Sequence, residues 1–428
     1  MKEVVLKMMI RCLISIGLMI FLISGGFFVM RQLFGQSILS SANELNQNGG
    51  ISEVREVLLG DMLQYIARQL FGQSILSSAN ELNHTGGISE VREVLLGDML
   101  QYIAIEGENI DNPVCLFLHG GPGLSLPYGI SSRHQVETIS SHCTVVYWDQ
   151  RGAGKTYSTN PSEVSFTYEQ VEADAKELIT YLRREFEVDQ IYLIGYSWGS
   201  VLGMRLVHEI PEQLYAYFGL SQVVHPLQSE QALYDWLLDE FESTGHHQLV
   251  LSLKQLGQPP YEQASSQERF QQILNQSNAY VKWREGLPNV NVLNWMGQVL
   301  ACPDLTLKEA YDTLIGASHQ TLKQSQYWSQ LQAVNLLEEI KEVKIPVYFA
   351  TGVDDYICSV SLLQSWVEQL QAPKKEVLIL DNSAHYFSNE DESIIYQWMK
   401  DLIAKKFPQA EEAPDETTVG DIFSNLLQ

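Results

Sequence analysis

The stretch YLIGYSWGSVLG, Tyr192 to Gly203, decides how this chain is read. Within it, Gly195-Tyr196-Ser197-Trp198-Gly199 fits the pattern G-x-S-x-G, set between a β-like run (Gln190 to Ile194) and a helix-like run (Val201 to His208). A serine on such a sharp strand-to-helix turn stands clear of the backbone. Glycines two positions to either side let the strand and the helix pack that closely. Five-residue patterns of this kind also arise by chance, so the serine needs partners elsewhere in the chain. Its hydroxyl is a poor nucleophile at its own pKa. It requires a histidine base and a carboxylate to orient that base.

Both partners follow, in the order Ser, Asp, His. VYFATGVDDYICS places Asp354 and Asp355 directly after a strand-like run, and VLILDNSAHYF places His385 just after the last one. Of the ten histidines, His385 alone holds such a late strand-end position, while His208, His246, His247 and His319 lie in helical contexts. Asp355 is taken as the acid, and Asp354 as a solvated or turn-capping neighbour. A developing oxyanion also needs two backbone N–H donors. One is the amide of Trp198; the other comes from the glycine-rich turn His119-Gly120-Gly121-Pro122-Gly123 after an earlier strand.

Outward from these motifs the pattern alternates. Strand-like runs at 101–106, 114–119, 143–148, 190–194, 217–220, 347–351 and 376–380 are separated mostly by helical runs, notably 168–186 and 360–370. Short apolar strands alternating with amphipathic helices imply an α/β fold, with a mostly parallel sheet covered on both faces. Upstream, ISEVREVLLGDMLQYIA reads as two short strands around Gly97-Asp98. Between about Val223 and Leu337 the strands stop, and a Gln-, Leu-, Trp- and Tyr-rich stretch reads as a helical cap inserted into the sheet.

The chain has 428 residues, 45% of them hydrophobic, which is enough to bury a large core. Its 52 acidic against 27 basic residues give a formal charge of −25, and a nucleic-acid partner would require a basic face instead. Five cysteines (Cys12, Cys115, Cys143, Cys302, Cys358) form no C-x-x-C pair and no His/Cys cluster at ligand spacing, so no metal site is expected. Cys115 and Cys143 lie in apolar strand-like runs and read as buried thiols. No G-x-G-x-x-G follows an early strand, so no dinucleotide or other cofactor is expected.

At the N-terminus, Lys2, Lys7 and Arg11 precede the uncharged run Cys12 to Met30. As a helix this run would span about 28 Å, close to a bilayer core. It is expected to anchor the protein in a membrane with the rest of the chain outside, the alternative being a signal peptide cleaved near Ser24-Gly25-Gly26. Next come two near-identical copies, 31–67 and 68–104, which differ where Gln47-Asn48 becomes His84-Thr85. Two copies are too few for a solenoid. The expected organisation is an anchor at 1–31, a duplicated juxtamembrane segment at 32–67, a core in two parts at 68–222 and 338–404, the cap at 223–337, and an acidic disordered tail at 405–428. The sequence sets no oligomeric state.

The combination of HGGPG, then DQRGAGKT (Asp149 to Thr156), then GYSWGS resembles the α/β-hydrolase fold, and more narrowly the proline iminopeptidase branch of serine peptidases. The resemblance covers roughly 101–405. It implies Ser197 as nucleophile, Asp355 as acid and His385 as base, with Gly121 and Trp198 lining the oxyanion hole. It also implies a structural role for Asp149-Gln150-Arg151-Gly152, tying loops near the site. The chain departs from the family at Tyr196, where glycine is usual, and at Lys155-Thr156. Family aminopeptidases bind the substrate's free amine through carboxylates of the cap, and YVKWREG offers Trp283 and Glu285 for that role. The expected activity is removal of N-terminal residues, proline among them, from short peptides. An esterase or lipase-like hydrolase using the same residues is the alternative, and a non-catalytic receptor on the same fold is a third reading.

Overall fold

The computed structural model describes residues 86–121, 123, 125, 139–160, 167–261, 263–284, 287–288, 299, 302, 305–313 and 325–405. The chain divides into two units, Met1–Ile66 and Ala67–Gln428. The first lies wholly outside the described residues. So do the apolar N-terminal run, the first repeat copy, the second copy up to residue 85, Glu285 and the tail beyond Lys405.

The strands are β1 (Ile88–Leu96), β2 (Met99–Gly107), β3 (Val114–Leu118), β4 (Thr144–Asp149), β5 (Ile191–Tyr196), β6 (Leu214–Leu220), β7 (Trp283–Arg284), β8 (Leu287–Pro288), β9 (Val347–Gly352) and β10 (Lys375–Leu380). Eight of them form one sheet in the order β1-β2-β4-β3-β5-β6-β9-β10, and β7 and β8 pair separately. The β1–β2 and β2–β4 pairings are antiparallel, and all others in the large sheet are parallel. The β1–β2 hairpin turns on Gly97 and Asp98, whose φ values of 51° and 61° match the right-handed twist of the strands they join.

The helices are α1 (Gly154–Thr159), α2 (Tyr168–Glu185), α3 (Trp198–Glu209), α4 (Pro226–Ser243), α5 (His247–Leu256), α6 (Ala264–Leu274), α7 (Leu307–Tyr311), α8 (Ser325–Gln332), α9 (Leu336–Glu339), α10 (Val360–Gln369) and α11 (Asn389–Ala404). Side chains alternate across a strand, so each central strand feeds two cores. Leu116, Leu118, Val146 and Trp148 pack with α2, α3 and α10, while Cys115, Phe117, Val145 and Tyr147 pack on the face covered by α11. Burial on both faces explains why β3, β4 and β5 read as unbroken apolar runs: every residue in them is buried. Between β6 and β9 run the cap helices, of which α4, α5 and α6 share a small core of their own around Leu237, Phe241, Leu253 and Phe270.

The reading of Cys115 and Cys143 as thiols is overturned: their sulfurs are bonded, 2.10 Å apart. Both are fully buried, as expected, but β3 and β4 are parallel neighbours, which brings the two starts together. Spacing along the chain carries no trace of that adjacency. No helix among the described residues is long and apolar enough to cross a membrane.

The Asp-Gln-Arg-Gly segment after β4 ties the layers together. Arg151 is buried against Asp174 of α2, with Nε 2.8 Å from Oδ2 and Nη2 3.1 Å from Oδ1, and Nη2 also donates to the Gly97 carbonyl. Gln101 completes the set by donating to Asp174 (2.7 Å) and accepting from Trp148 (3.0 Å). The hairpin turn, β4 and α2 thus meet at one carboxylate. The structure agrees with a tying role for this segment.

Candidate active site

Ser197 sits between β5 and α3 with φ 51° and ψ −122°, a conformation that L-residues rarely adopt. Such strain costs roughly 1–3 kcal/mol and persists only where the surroundings enforce it. Here the flanking glycines do so. A Cβ on Gly199 would lie 2.2 Å from the Leu118 carbonyl oxygen, and one on Gly195 would lie 2.8 Å from Ser200 Cα. Ser200 then locks the turn, because its hydroxyl donates to the Ser197 carbonyl (2.5 Å) and accepts from Val223 N–H (3.0 Å).

The loops after β9 and β10 bring the acid and the histidine to this serine. His385 Nε2 is 3.0 Å from Ser197 Oγ, and its Nδ1 is 3.1 Å from both Asp355 oxygens. All three residues are buried, at 3–5% exposure. A carboxylate facing Nδ1 holds the proton on that nitrogen, which leaves Nε2 with a lone pair toward the serine. Asp355 is itself fixed by Ile357 and Cys358 N–H groups at 3.0 and 2.8 Å. Asp354, the competing acid, instead pairs with Lys282 at 2.6 Å.

The glycine-rich turn lies against the serine. A Cβ on Gly120 would meet Ser197 Cβ at 3.0 Å, and Gly121 has φ +129°, open to glycine alone at little cost. His119 braces this turn from below. Its Nδ1 bonds the Gly120 carbonyl (2.8 Å), and its Nε2 accepts from Gln150 N–H (3.3 Å). Complete burial lowers its pKa to about 4, so it is a neutral strut. Asp149 holds the turn's far end, accepting from the Ser125 hydroxyl and from Lys155 N–H (2.7 Å), while burial raises its pKa to about 6. Trp198 is the first residue of α3, directly after the serine.

Four neighbours escaped the sequence reading. Tyr196 donates its hydroxyl to the His385 carbonyl (2.9 Å), and Ser221 does the same at 3.1 Å. Tyr280 of the cap lays its ring edge-on, 5.9 Å from the imidazole. Cys358 is the fourth. Asp355, Cys358 and His385 are the group among the described residues whose donor atoms lie within 4.8 Å of one another. Burial pushes the Cys358 thiol well up, and Asp355 and His385 are already bonded to each other. The set therefore fits a hydrogen-bonded chain better than a metal centre. Of these residues only Tyr196 carried a signal, as a departure inside the serine motif. Glu285 lies outside the described residues.

Comparison with known proteins adds the lineage. A family model described as alpha/beta hydrolase fold matches residues 113–392. A probable aminopeptidase, YbaC, of Bacillus subtilis (strain 168) is 29% identical over 292 residues, covering 68% of this chain and 88% of that protein. A proline iminopeptidase of Lactobacillus crispatus (strain ST1) is 23% identical over 288 residues, 66% of this chain and 86% of its own. Among solved structures, a membrane phospholipase A described as a bacterial virulence factor matches with a TM-score of 0.51 at 17% identity, covering 86% of this chain and 99% of the other. At that identity the likeness speaks for the fold alone. Since the family match spans β3 to the first turn of α11, the chain belongs to the alpha/beta hydrolase fold family, and it is similar to the proline iminopeptidase-like branch of that family.

Proposed function

We propose that this protein is a serine hydrolase that releases N-terminal residues from short peptides through an acyl-enzyme. The observation that carries the reading is the chain Asp355–His385–Ser197, with bonds of 3.1 and 3.0 Å, beside the Gly121 turn and the start of α3. Ser197 attacks the scissile carbonyl while His385 Nε2 takes its proton, and Asp355 stabilises the resulting imidazolium. Amides of Gly121 and Trp198 hold the oxyanion. His385 then protonates the leaving amine, and water repeats the cycle on the acyl-enzyme.

Two observations favour a peptide over an ester. Two relatives above are named a probable aminopeptidase and a proline iminopeptidase, and the cap holds a carboxylate short of partners. Glu230 on α4 accepts from Gln267 (2.8 Å) through one oxygen, while its other oxygen is buried with none. Burial raises its pKa, so a cationic amine would relieve it. One turn along α6 from Gln267, Gln271 donates to the hydroxyl of Tyr280, whose ring covers His385. Glu285 remains a second proposed amine ligand. The N-terminal run is proposed as a membrane anchor, with the catalytic part on the extracytoplasmic side, where the Cys115–Cys143 bond would persist.

The test compares initial rates on prolyl-, alanyl- and N-acetyl-prolyl-naphthylamide and on p-nitrophenyl butyrate, with Ser197→Ala as the blank. Turnover of the free-amine naphthylamides but not the blocked one is expected, and Glu230→Gln should raise KM for them alone. Turnover of the ester only would replace the peptidase reading with an esterase. The anchor is checked separately by alkaline carbonate extraction of the full chain.

A further inference from the structure

The acid and the base of the proposed mechanism sit on different loops, beyond the ends of β9 and β10, and backbone bonds from Val353 N–H to the Leu380 carbonyl (2.9 Å) and from Asp354 N–H to the Ser383 carbonyl (3.3 Å) join the loops at their base. The cap grips both. Lys282, between α6 and β7, places its ammonium 2.6 Å from Asp354 Oδ2 and 2.7 Å from the Asp381 carbonyl oxygen. One side chain thus bridges the acid's neighbour and the base loop. Around it the grip repeats. Trp236 of α4 stacks on Tyr356 at 4.1 Å, on the other side of Asp355. The Tyr280 carbonyl accepts from Tyr386 N–H at 2.9 Å, and their rings stack at 5.5 Å, directly after His385. Both residues flanking Asp355 and the residue following His385 are therefore held by the cap.

We propose that Lys282 is a positioning residue: docking of the cap through its ammonium sets the Asp355–His385 separation, so the site is assembled only while the cap is seated. This rests on the serine hydrolase reading above. A lysine suits the place because a compact ammonium with three donors can serve a carboxylate and a carbonyl at once. Loosening the clasp lets the two loops move apart, and displacements of about an ångström in catalytic groups cost up to roughly a hundredfold in rate.

The experiment measures the second-order rate at which a fluorophosphonate–rhodamine probe labels Ser197 in the full chain, well below the unfolding midpoint. That rate reads nucleophile activation and needs no knowledge of the natural substrate. Lys282→Met should label about tenfold to a hundredfold more slowly than the wild type. Lys282→Arg should recover part of the loss, and Asp354→Asn, which keeps the Asp381 contact, should show a smaller one. Lys254→Met, which removes an exposed cap lysine paired with Glu242, serves as the control and should leave the rate unchanged. A folded Lys282→Met protein labelling at the wild-type rate overturns the proposal. If that variant does not fold, Asp354→Asn labelling at the wild-type rate overturns it instead. Wild-type protein that fails to label at Ser197 overturns the hydrolase reading and this inference together.

Discussion

Tyr196 stands where the family resemblance leads one to expect glycine, and its hydroxyl bonds the backbone of His385 across the site. Tyr196→Phe removes one of two donors to that carbonyl and leaves Ser221 in place. The loss is at most about 1 kcal/mol, so kcat should fall by up to about fivefold with the fold intact, as steady-state kinetics and circular dichroism would check. The neighbouring aspartates should separate sharply. Asp355→Asn favours the wrong imidazole tautomer and should cost about 10³–10⁴ in kcat, whereas Asp354→Asn acts only through Lys282 and should cost far less. Equal losses in the two variants would contradict the assignment of the acid.

At the scale of elements, the close approach of α3 to β3 admits no side chain at Gly199. Its Cβ would press on two backbone carbonyls, of Leu118 at 2.2 Å and of His119 at 2.5 Å, and neither can swing aside as a side chain would. Gly199→Ala should therefore destabilise by several kcal/mol, read as a loss of soluble protein or a large drop in unfolding midpoint. Gly97 is closed for another reason: its φ is +51°, and a Cβ there would meet the Asp174 carboxylate, a side chain that Arg151 holds in place.

For the whole molecule, Asp149 makes stability depend on pH. Burial raises its folded pKa from 3.8 to about 6, so the folded state keeps a proton that the unfolded chain has already released. Its contribution is therefore most favourable below the unfolded value, and is lost as pH rises through about 4 to about 6. Two units correspond to at most about 3 kcal/mol. Asp149→Asn can still accept from Lys155 N–H but does not titrate. Denaturant unfolding of the variant and the wild type, followed from pH 4 to pH 7, should diverge in the variant's favour as pH rises. Parallel curves would mean that Asp149 is not protonated in the folded state.

What the sequence by itself determined is what repeats locally or rides on a motif: the strand and helix runs, the hairpin at Gly97-Asp98, the elbow at Ser197, and the order in which Asp355 and His385 arrive. Period-two and period-3.6 burial are written within a few residues, and catalytic spacing follows the ends of strands. The tertiary structure alone decided that Asp354 meets Lys282, that Cys115 meets Cys143, that the Tyr196 hydroxyl reaches His385, and that Lys282 spans two loops. Those contacts join residues far apart in the chain. They are set by the order of strands in the sheet and by how the cap lies on it, and neither leaves a mark in the spacing of residues along the chain.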